Sequence, residues 1–372
     1  MTQHLFETVQ VGGQFLPNRI VLPPLTRSRA TNDGVPTALM AKYYGQRSGA
    51  GLIVAEGTVV SPQGSAYARV PGLYSDEQVE AWKPVVKAAK SQGAAFYAQL
   101  WHVGRQAHSS LQPDGQAPWA PSPIPIKGWD YRMSSGERVP YETPREFTRE
   151  GIKATVEDFV SATKRAFEAG FDGVEIHAAN GYLFDQFLNA SSNQRTDEYG
   201  GSVENRLRFL KEVLDRLSEE VPMNRVGLRL SPSSSWMDIR DPDKFGIYSE
   251  TIRLANNWKL AYLHLVEPGI EGGGDAEAGD DWIPSSELSA LFDGPVIVTG
   301  GHTAETAAAQ IRDGVADLVG FGRLFISNPD LPHRFREGIE LQEMQAEGLY
   351  ADDEAGYSDY PAHPSYVQAS LS

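Results

Sequence analysis

The sequence predicts an α/β fold, a single (β/α)8 TIM barrel with a long lid-forming insertion after its third strand. Three observations carry this expectation. Eight short, β-branched apolar runs recur along the 372 residues. Helical patterns follow most of them. The runs are almost continuously apolar, which suits strands buried on both faces, as in a parallel sheet. Eight is the number at which such a sheet closes, so a barrel is favoured over its alternative, an open doubly wound sheet.

The strands are expected at residues 19–23, 52–55, 95–99, 173–177, 226–230, 261–266, 295–299 and 317–321. A helix over 36–48 sets Leu39, Met40, Tyr43 and Tyr44 on one face. The next, 76–89, opens on acidic residues and repeats Val79, Trp82, Val86 and Ala89. Residues 149–169 repeat Ile152, Val156, Phe159, Val160, Thr163 and Phe167 before Gly170 ends the helix. Residues 202–218 repeat Val203, Leu207, Leu210, Val213, Leu214 and Leu217. Further helices are expected at 245–258, 303–312 and 331–339. One connection is too long for a crossover helix alone. Residues 104–147 are rich in Pro, Gly, Ser and aromatics, and loops of this length are usually functional or disordered. A hairpin is expected there, with 126–132 and 138–141 flanking Ser134-Ser135-Gly136-Glu137, and it would lie over the C-terminal rim. The catalytic domain should span 1–361, with 362–372 a tail that can be disordered, and the acidic, aromatic segment 347–372 should wrap the barrel edge.

Composition narrows the function classes. Lys and Arg number 33 against 49 Asp and Glu, a formal charge of −16, which disfavours nucleic acid and anionic membranes as partners. With no cysteine, disulfides, thiolate metal sites and a Cys nucleophile are excluded. No targeting segment or apolar span is visible, so a soluble, cytoplasmic protein is expected, either monomer or homodimer.

Barrel enzymes carry their working residues where the strands end, on one rim. Pro24, Leu25 and Thr26 follow the first strand; Glu56 and Gly57 end the second; Gln99, Trp101 and His102 end the third. His177, Asn180 and Tyr182 end the fourth, and Arg229 lies within the fifth. Gly300 and Gly301 follow the seventh, and Gly322 and Arg323 the eighth. Glycines before a helix N-terminus, with an Arg after the next strand, suit a phosphate. His177 and Asn180 can both donate to one oxygen and polarise a carbonyl, with Tyr182 supplying a proton; a helix cap by Asn180 and a packed Tyr are the bland alternative. Arg229 inside an apolar strand needs an anionic or electron-rich partner, or a structural one such as Glu56. The Gly272-Gly273-Gly274 run lacks the setting of a dinucleotide fingerprint. The acidic group Asp275, Glu277, Asp280 and Asp281 reads as a solvated loop, so no metal is expected. His102 and His108 read as loop packing, and His333 and His363 sit in no constellation.

Several stretches resemble the old yellow enzyme family of FMN-dependent ene-reductases, from Leu5 to Pro361. They are Pro17-Asn18-Arg19-Ile20, Pro24-Leu25-Thr26-Arg27, Gln99-Leu100-Trp101-His102 with Gly104-Arg105, Ser191-Ser192-Asn193-Gln194-Arg195-Thr196-Asp197 and Tyr199-Gly200-Gly201-Ser202-Val203-Glu204-Asn205-Arg206. The last two are the most specific. The resemblance is nearest the bacterial branch of N-ethylmaleimide reductase and pentaerythritol tetranitrate reductase. It implies FMN as cofactor, NAD(P)H as hydride donor and ping-pong reduction of activated C=C bonds. Thr26 would tune the flavin ring, Pro24 and Leu25 would supply backbone contacts, and Gly57 would lie against the ring. Gln99 and Arg229 match the pair at the pyrimidine edge. Gly300, Gly301, Gly322 and Arg323 match the phosphate site. His177 and Asn180 match the pair binding the substrate oxygen, Tyr182 the proton donor, and Tyr67, Trp101 and Tyr350 pocket residues. That bacterial branch carries His where this chain has Asn180, and Asn cannot become cationic. The lid at 128–141 also departs from the family pattern. Two rivals stand beside this reading: nitrate-ester or nitroaromatic reduction on the same fold, and a flavin-free barrel lyase acting on a phosphorylated substrate, for which no Schiff-base Lys follows a candidate strand.

Overall fold

A computed structural model describes residues 2–133, 135–271, 274–275 and 282–366. Eight parallel strands form the barrel: β1 (Ile20–Leu22), β2 (Leu52–Val54), β3 (Ala95–Trp101), β4 (Gly173–His177), β5 (Val226–Leu230), β6 (Tyr262–Val266), β7 (Val296–Thr299) and β8 (Leu318–Gly320). Each pairs with the next, and β8 pairs back onto β1 through Val319↔Ile20 and Gly320↔Val21, so the sheet has no open edge. The open-sheet alternative is thereby excluded.

The helices are α1 (Ala38–Gln46), α2 (Asp76–Ala89), α3 (Arg149–Ala169), α4 (Leu183–Leu188), α5 (Val203–Ser218), α6 (Lys244–Ala255), α7 (Ser285–Ser289), α8 (Ala304–Arg312), α9 (Gly322–Ser327) and α10 (Leu331–Glu337). Local chemistry sets their ends. Ser75 and Gln78 form a capping box on α2, Thr148 caps α3 before Gly170 closes it in a left-handed turn, and Ser202 caps α5. The apolar faces of these helices pack on the outside of the barrel, where Phe159, Leu210 and Val213 are fully buried. A fully buried side chain of this size contributes about 1.5–3 kcal/mol relative to exposure. Three short helices, α4, α7 and α9, were not expected from periodicity.

The barrel interior has two halves. The lower half is apolar, filled by Val21, Leu52, Tyr97, Tyr262, Ile297 and Leu318. A hairpin, Val9–Val11 with Gln14–Leu16, adds Val11 and Leu16 to this cluster from below. The upper half is polar and faces the C-terminal rim.

The expected lid hairpin forms, pairing Asp130–Arg132 with Arg138–Pro140; Ser134 of its turn lies outside the described residues. It docks on two rim loops. Tyr131 donates from its hydroxyl to the Ala66 carbonyl at 2.6 Å, and Trp129 packs on Trp236 with ring centres 4.4 Å apart. The C-terminal segment returns to the first strand's loop. Arg29 donates to the carbonyls of Gly348, Leu349, Asp353 and Ala355, and Tyr357 stacks on Tyr43 at 4.2 Å. Residues 367–372 of the expected tail lie outside the described residues. His333 and His363, expected to stand alone, meet at the Ser365 hydroxyl at 2.9 and 2.7 Å and pin the tail there. Among the described residues, no helix is long and apolar enough to cross a membrane.

Candidate functional site

Above the polar half of the barrel lies a cavity of about 930 Å³. Pro24, Leu25, Asn180, Arg229, Gly300, Gly301, Gly322 and Arg323 all line it, together with Thr299 and the start of α8. Strand register explains the convergence. β4, β5 and β6 run in phase, so His177 sits opposite Arg229 and Arg229 opposite His264.

Beside the cavity stands an aromatic wall. The Trp101 ring lies parallel to His177 at 6.1 Å, edge-on to Tyr182 at 4.8 Å and stacked with Tyr67 at 6.0 Å. Gly57 has a reason the resemblance did not supply: a Cβ there would fall 2.5 Å from the Trp101 indole. Tyr350 is 60% exposed and its carbonyl accepts from Arg69. Among the described residues, Thr26 is half-buried and its hydroxyl has no partner within the chain.

His177 is buried at the end of β4, and neither ring nitrogen has a partner among the described residues. Burial, and then the Arg229 charge, hold its pKa well below the ordinary histidine value, so the ring is neutral. Three residues on, Asn180 adopts a left-handed conformation with φ 56°. Its amide donates to the Ser231 hydroxyl at 2.7 Å and its carbonyl accepts from Gln106 at 2.8 Å, which hold this strained backbone. Tyr182, not Asn180, takes the cap position of α4, so the helix-cap reading of Asn180 fails. Burial, and then Tyr67, raise the Tyr182 pKa well above the usual phenol value, and Tyr141 of the lid adds to the effect.

Arg229 is buried and bonds no group of the chain among the described residues; its Nε is a buried orphan. Glu56, offered as its structural partner, is engaged elsewhere. That carboxylate accepts from the Arg27 and Ser28 amides and the Tyr44 hydroxyl, and burial pushes its pKa up to about 7. Gln99 donates through Nε2 to Glu175 at 2.8 Å.

At the far end of the cavity Gly301 has φ 64°, a turn that favours glycine, ahead of α8, whose Thr303 and Thr306 cap each other. Arg323 is 42% exposed and forms a bidentate ion pair with Asp275 at 2.6 and 3.0 Å. Gly272, Gly273, Glu277, Asp280 and Asp281 lie outside the described residues. Among the described residues no cluster suits a metal ion. His102 is buried and accepts the Gly104 amide, whereas His108 stacks on Tyr131.

Residues 4–342 match the NADH:flavin oxidoreductase / NADH oxidase family. The chain is 41% identical to 12-oxophytodienoate reductase 7 of Oryza sativa subsp. japonica, over 96% of this chain and 94% of that protein. It is 40% identical to 12-oxophytodienoate reductase 2 of Arabidopsis thaliana, over 94% and 93%. The solved structure of morphinone reductase in complex with tetrahydroNAD superposes with a TM-score of 0.90 at 42% identity, covering 97% of this chain and 98% of that one. The old yellow enzyme homologue from Zymomonas mobilis also gives 0.90, at 39% identity over 96% and 99%.

The chain belongs to the old yellow enzyme family.

This old yellow enzyme is therefore a flavin oxidoreductase that uses FMN and takes hydride from NAD(P)H, and the barrel-lyase rival falls away. The residues fit the cofactor. Glu175 faces the Arg229 guanidinium, but the buried donors of that guanidinium have no hydrogen-bond acceptor among the described residues and suit an electron-rich group in the cavity, and the glycine turn before α8 leaves room for an anion. The sequence reading missed the interior polar groups Glu175, His264 and Thr299 as a set, and Tyr141 of the lid. A charge inside the apolar run Gly173-Val174-Glu175-Ile176-His177 was the available signal for the first.

Proposed function

We propose that this enzyme reduces the activated C=C bonds of α,β-unsaturated carbonyl compounds and nitroalkenes, with NAD(P)H and alkene using one site in turn. The observation that supports the reading most is the partnerless, neutral His177 beside Asn180, with the Tyr182 phenol on the same turn. His177 and Asn180 donate to the carbonyl or nitro oxygen and draw electron density from the double bond. Donors of this kind typically lower a barrier by about 2.7–4 kcal/mol. The raised pKa keeps Tyr182 protonated at neutral pH, so it holds a proton for the α-carbon. Trp101 and Tyr67 shape the wall that excludes water.

Pro24, Leu25, Thr26, Gln99 and Arg229 would hold the ring of FMN, with Gly57 behind Trp101 on the same side. Gly300, Gly301, Gly322 and Arg323 would hold its phosphate, which then takes the place of the Asp275 carboxylate on Arg323. When bound, FMN supplies the hydride transfer that no side chain can perform.

Within the family we place the chain near the N-ethylmaleimide and pentaerythritol tetranitrate reductase branch on the resemblance over residues 5–361, with Asn180 in place of that branch's His as the departure. Ranking N-ethylmaleimide, a nitrate ester and 2-cyclohexenone by kcat/KM tests both this placement and the nitrate-ester alternative. The reaction itself is tested in one anaerobic cuvette. NADPH should bleach the flavin absorbance and 2-cyclohexenone should restore it; bleaching without restoration by any alkene would refute the ene-reductase reading.

A further inference from the structure

Beneath the cavity, four strands contribute a buried chain of polar groups that catalysis as described above does not use. Gln99 of β3 donates through Nε2 to Glu175 Oε1 at 2.8 Å. His264 of β6 meets Glu175 Oε2 through Nδ1 at 2.8 Å, and its Nε2 meets the Thr299 hydroxyl of β7 at 2.7 Å. Glu175 and His264 have no solvent exposure at all. Arg229 and Tyr262 face the same carboxylate. Arg229 and Thr299 reach the cavity.

The proton positions follow from the charges. Although burial alone would raise its pKa, the hydrogen bonds from His264 and Gln99 and the charge of Arg229 hold Glu175 below the usual carboxylate range, so it is ionised. Burial lowers the pKa of His264, so the ring is neutral. A neutral imidazole beside a carboxylate donates from Nδ1, and Nε2 then accepts from Thr299. Gln99, committed through its NH2 group, presents its Oε1 as an acceptor. Thr299, committed through its O–H, presents only lone pairs.

We propose that Glu175 is the positioning residue of the flavin end: its carboxylate fixes which atoms Gln99 and Thr299 present to FMN and offsets the charge of Arg229. This rests on the proposed placement of the ring at Gln99 and Arg229. Two consequences separate it from a purely structural role. The acceptor set governs FMN affinity. The offset charge governs the balance between oxidised and reduced FMN, because an unopposed Arg229 favours the negative charge gained on reduction.

The test compares the wild-type holoenzyme with Glu175→Gln and Glu175→Asp, measuring the FMN dissociation constant and the two-electron midpoint potential. Glu175→Gln removes the charge at nearly constant shape. Its potential should move positive by roughly 30 mV, the equivalent of a tenfold change in the ratio of oxidised to reduced binding. Glu175→Asp keeps the charge but draws it back by one methylene, so FMN should bind about tenfold more weakly with the potential unchanged. A wild-type potential, or a negative shift, in Glu175→Gln overturns the proposal, since a structural defect would weaken both redox states alike. If Glu175→Gln does not accumulate folded, Glu175→Asp decides, and an unchanged FMN affinity there overturns it. A wild-type protein that takes up no FMN would instead sink the flavin placement, before either variant is compared.

Discussion

The two ends of the cavity are built on opposite terms. At the end we assign to the ring the groups are buried: Arg229 lines the cavity, neither it nor His177, opposite it in register, has a hydrogen-bond partner among the described residues, and Gln99 is held from behind by Glu175. At the end we assign to the phosphate Arg323 is 42% exposed and already carries a carboxylate, that of Asp275. The buried end has a low dielectric and unfilled hydrogen-bonding capacity, so each group there acts strongly and selectively. The exposed end offers charge that water and salt screen. Reactivity should therefore reside in the first end, and the second should set only how firmly the cofactor is retained.

The largest expected effect is Tyr182→Phe. Alkene reduction should slow by about 10²–10⁴-fold while reduction by NAD(P)H keeps its rate. Stopped-flow traces of the two half-reactions decide this, and equal slowing of both would remove Tyr182 from the proton-donor role. Next is His177→Ala, which should weaken the binding of a phenol and lower kcat for 2-cyclohexenone by about 10²–10³-fold. Wild-type phenol affinity would place the oxygen site elsewhere.

Glu56 gives a pH test behind the ring end. Its pKa is raised to about 7, chiefly by burial, from an ordinary 4.5. The folded state thus binds a proton that the unfolded state has released. The stability contributed by this group is fully present below about pH 4.5 and is lost as the pH rises through 7, a span of about 3 kcal/mol. Urea melts of wild type and Glu56→Gln at pH 5 and pH 8 should show a smaller pH difference in the variant; identical differences would mean that Glu56 is ionised throughout.

The smallest effects belong to the exposed end. Arg323→Ala should weaken FMN binding by about fivefold or less, with the difference shrinking in salt. Asp275→Asn should tighten it slightly, by removing the competing carboxylate. Fluorescence titration with FMN at two ionic strengths checks both. A loss of several hundredfold in Arg323→Ala would erase the contrast between the ends.

The barrel was legible because its signals are local. Eight apolar runs matched the eight strands to within a residue or two, and capping residues and Gly170 marked helix ends. The rim residues that line the cavity, among them Arg229, Gly301 and Arg323, were legible because strand ends carry them. What escaped were elements with weak local signals. The Val9–Val11 and Gln14–Leu16 hairpin carries a Gly12-Gly13 turn, yet its runs are only three residues each. The Glu175 network escaped because its members lie 76 and 89 residues apart, and only barrel closure brings them into contact. Arg323 was read as free for phosphate, and the Asp275 pairing depends on a loop whose path no periodicity foretells.

The clasp of the first strand's loop by the C-terminal segment has a consequence for how the chain is made. Arg29 binds a carbonyl 326 residues downstream, and Arg47 reaches Ile326 and Tyr357, 279 and 310 residues away. During synthesis the loop bearing Thr26 emerges more than 300 residues before these partners of Arg29. Loop closure over such distances is slow, and incomplete barrels expose strand edges while they wait. The first rim loop is therefore held from both directions of the chain, by Glu56 from the next strand and by the carbonyls of residues 348–356 from far downstream, and removing the latter would leave Arg27 and Arg29 as buried cations short of acceptors.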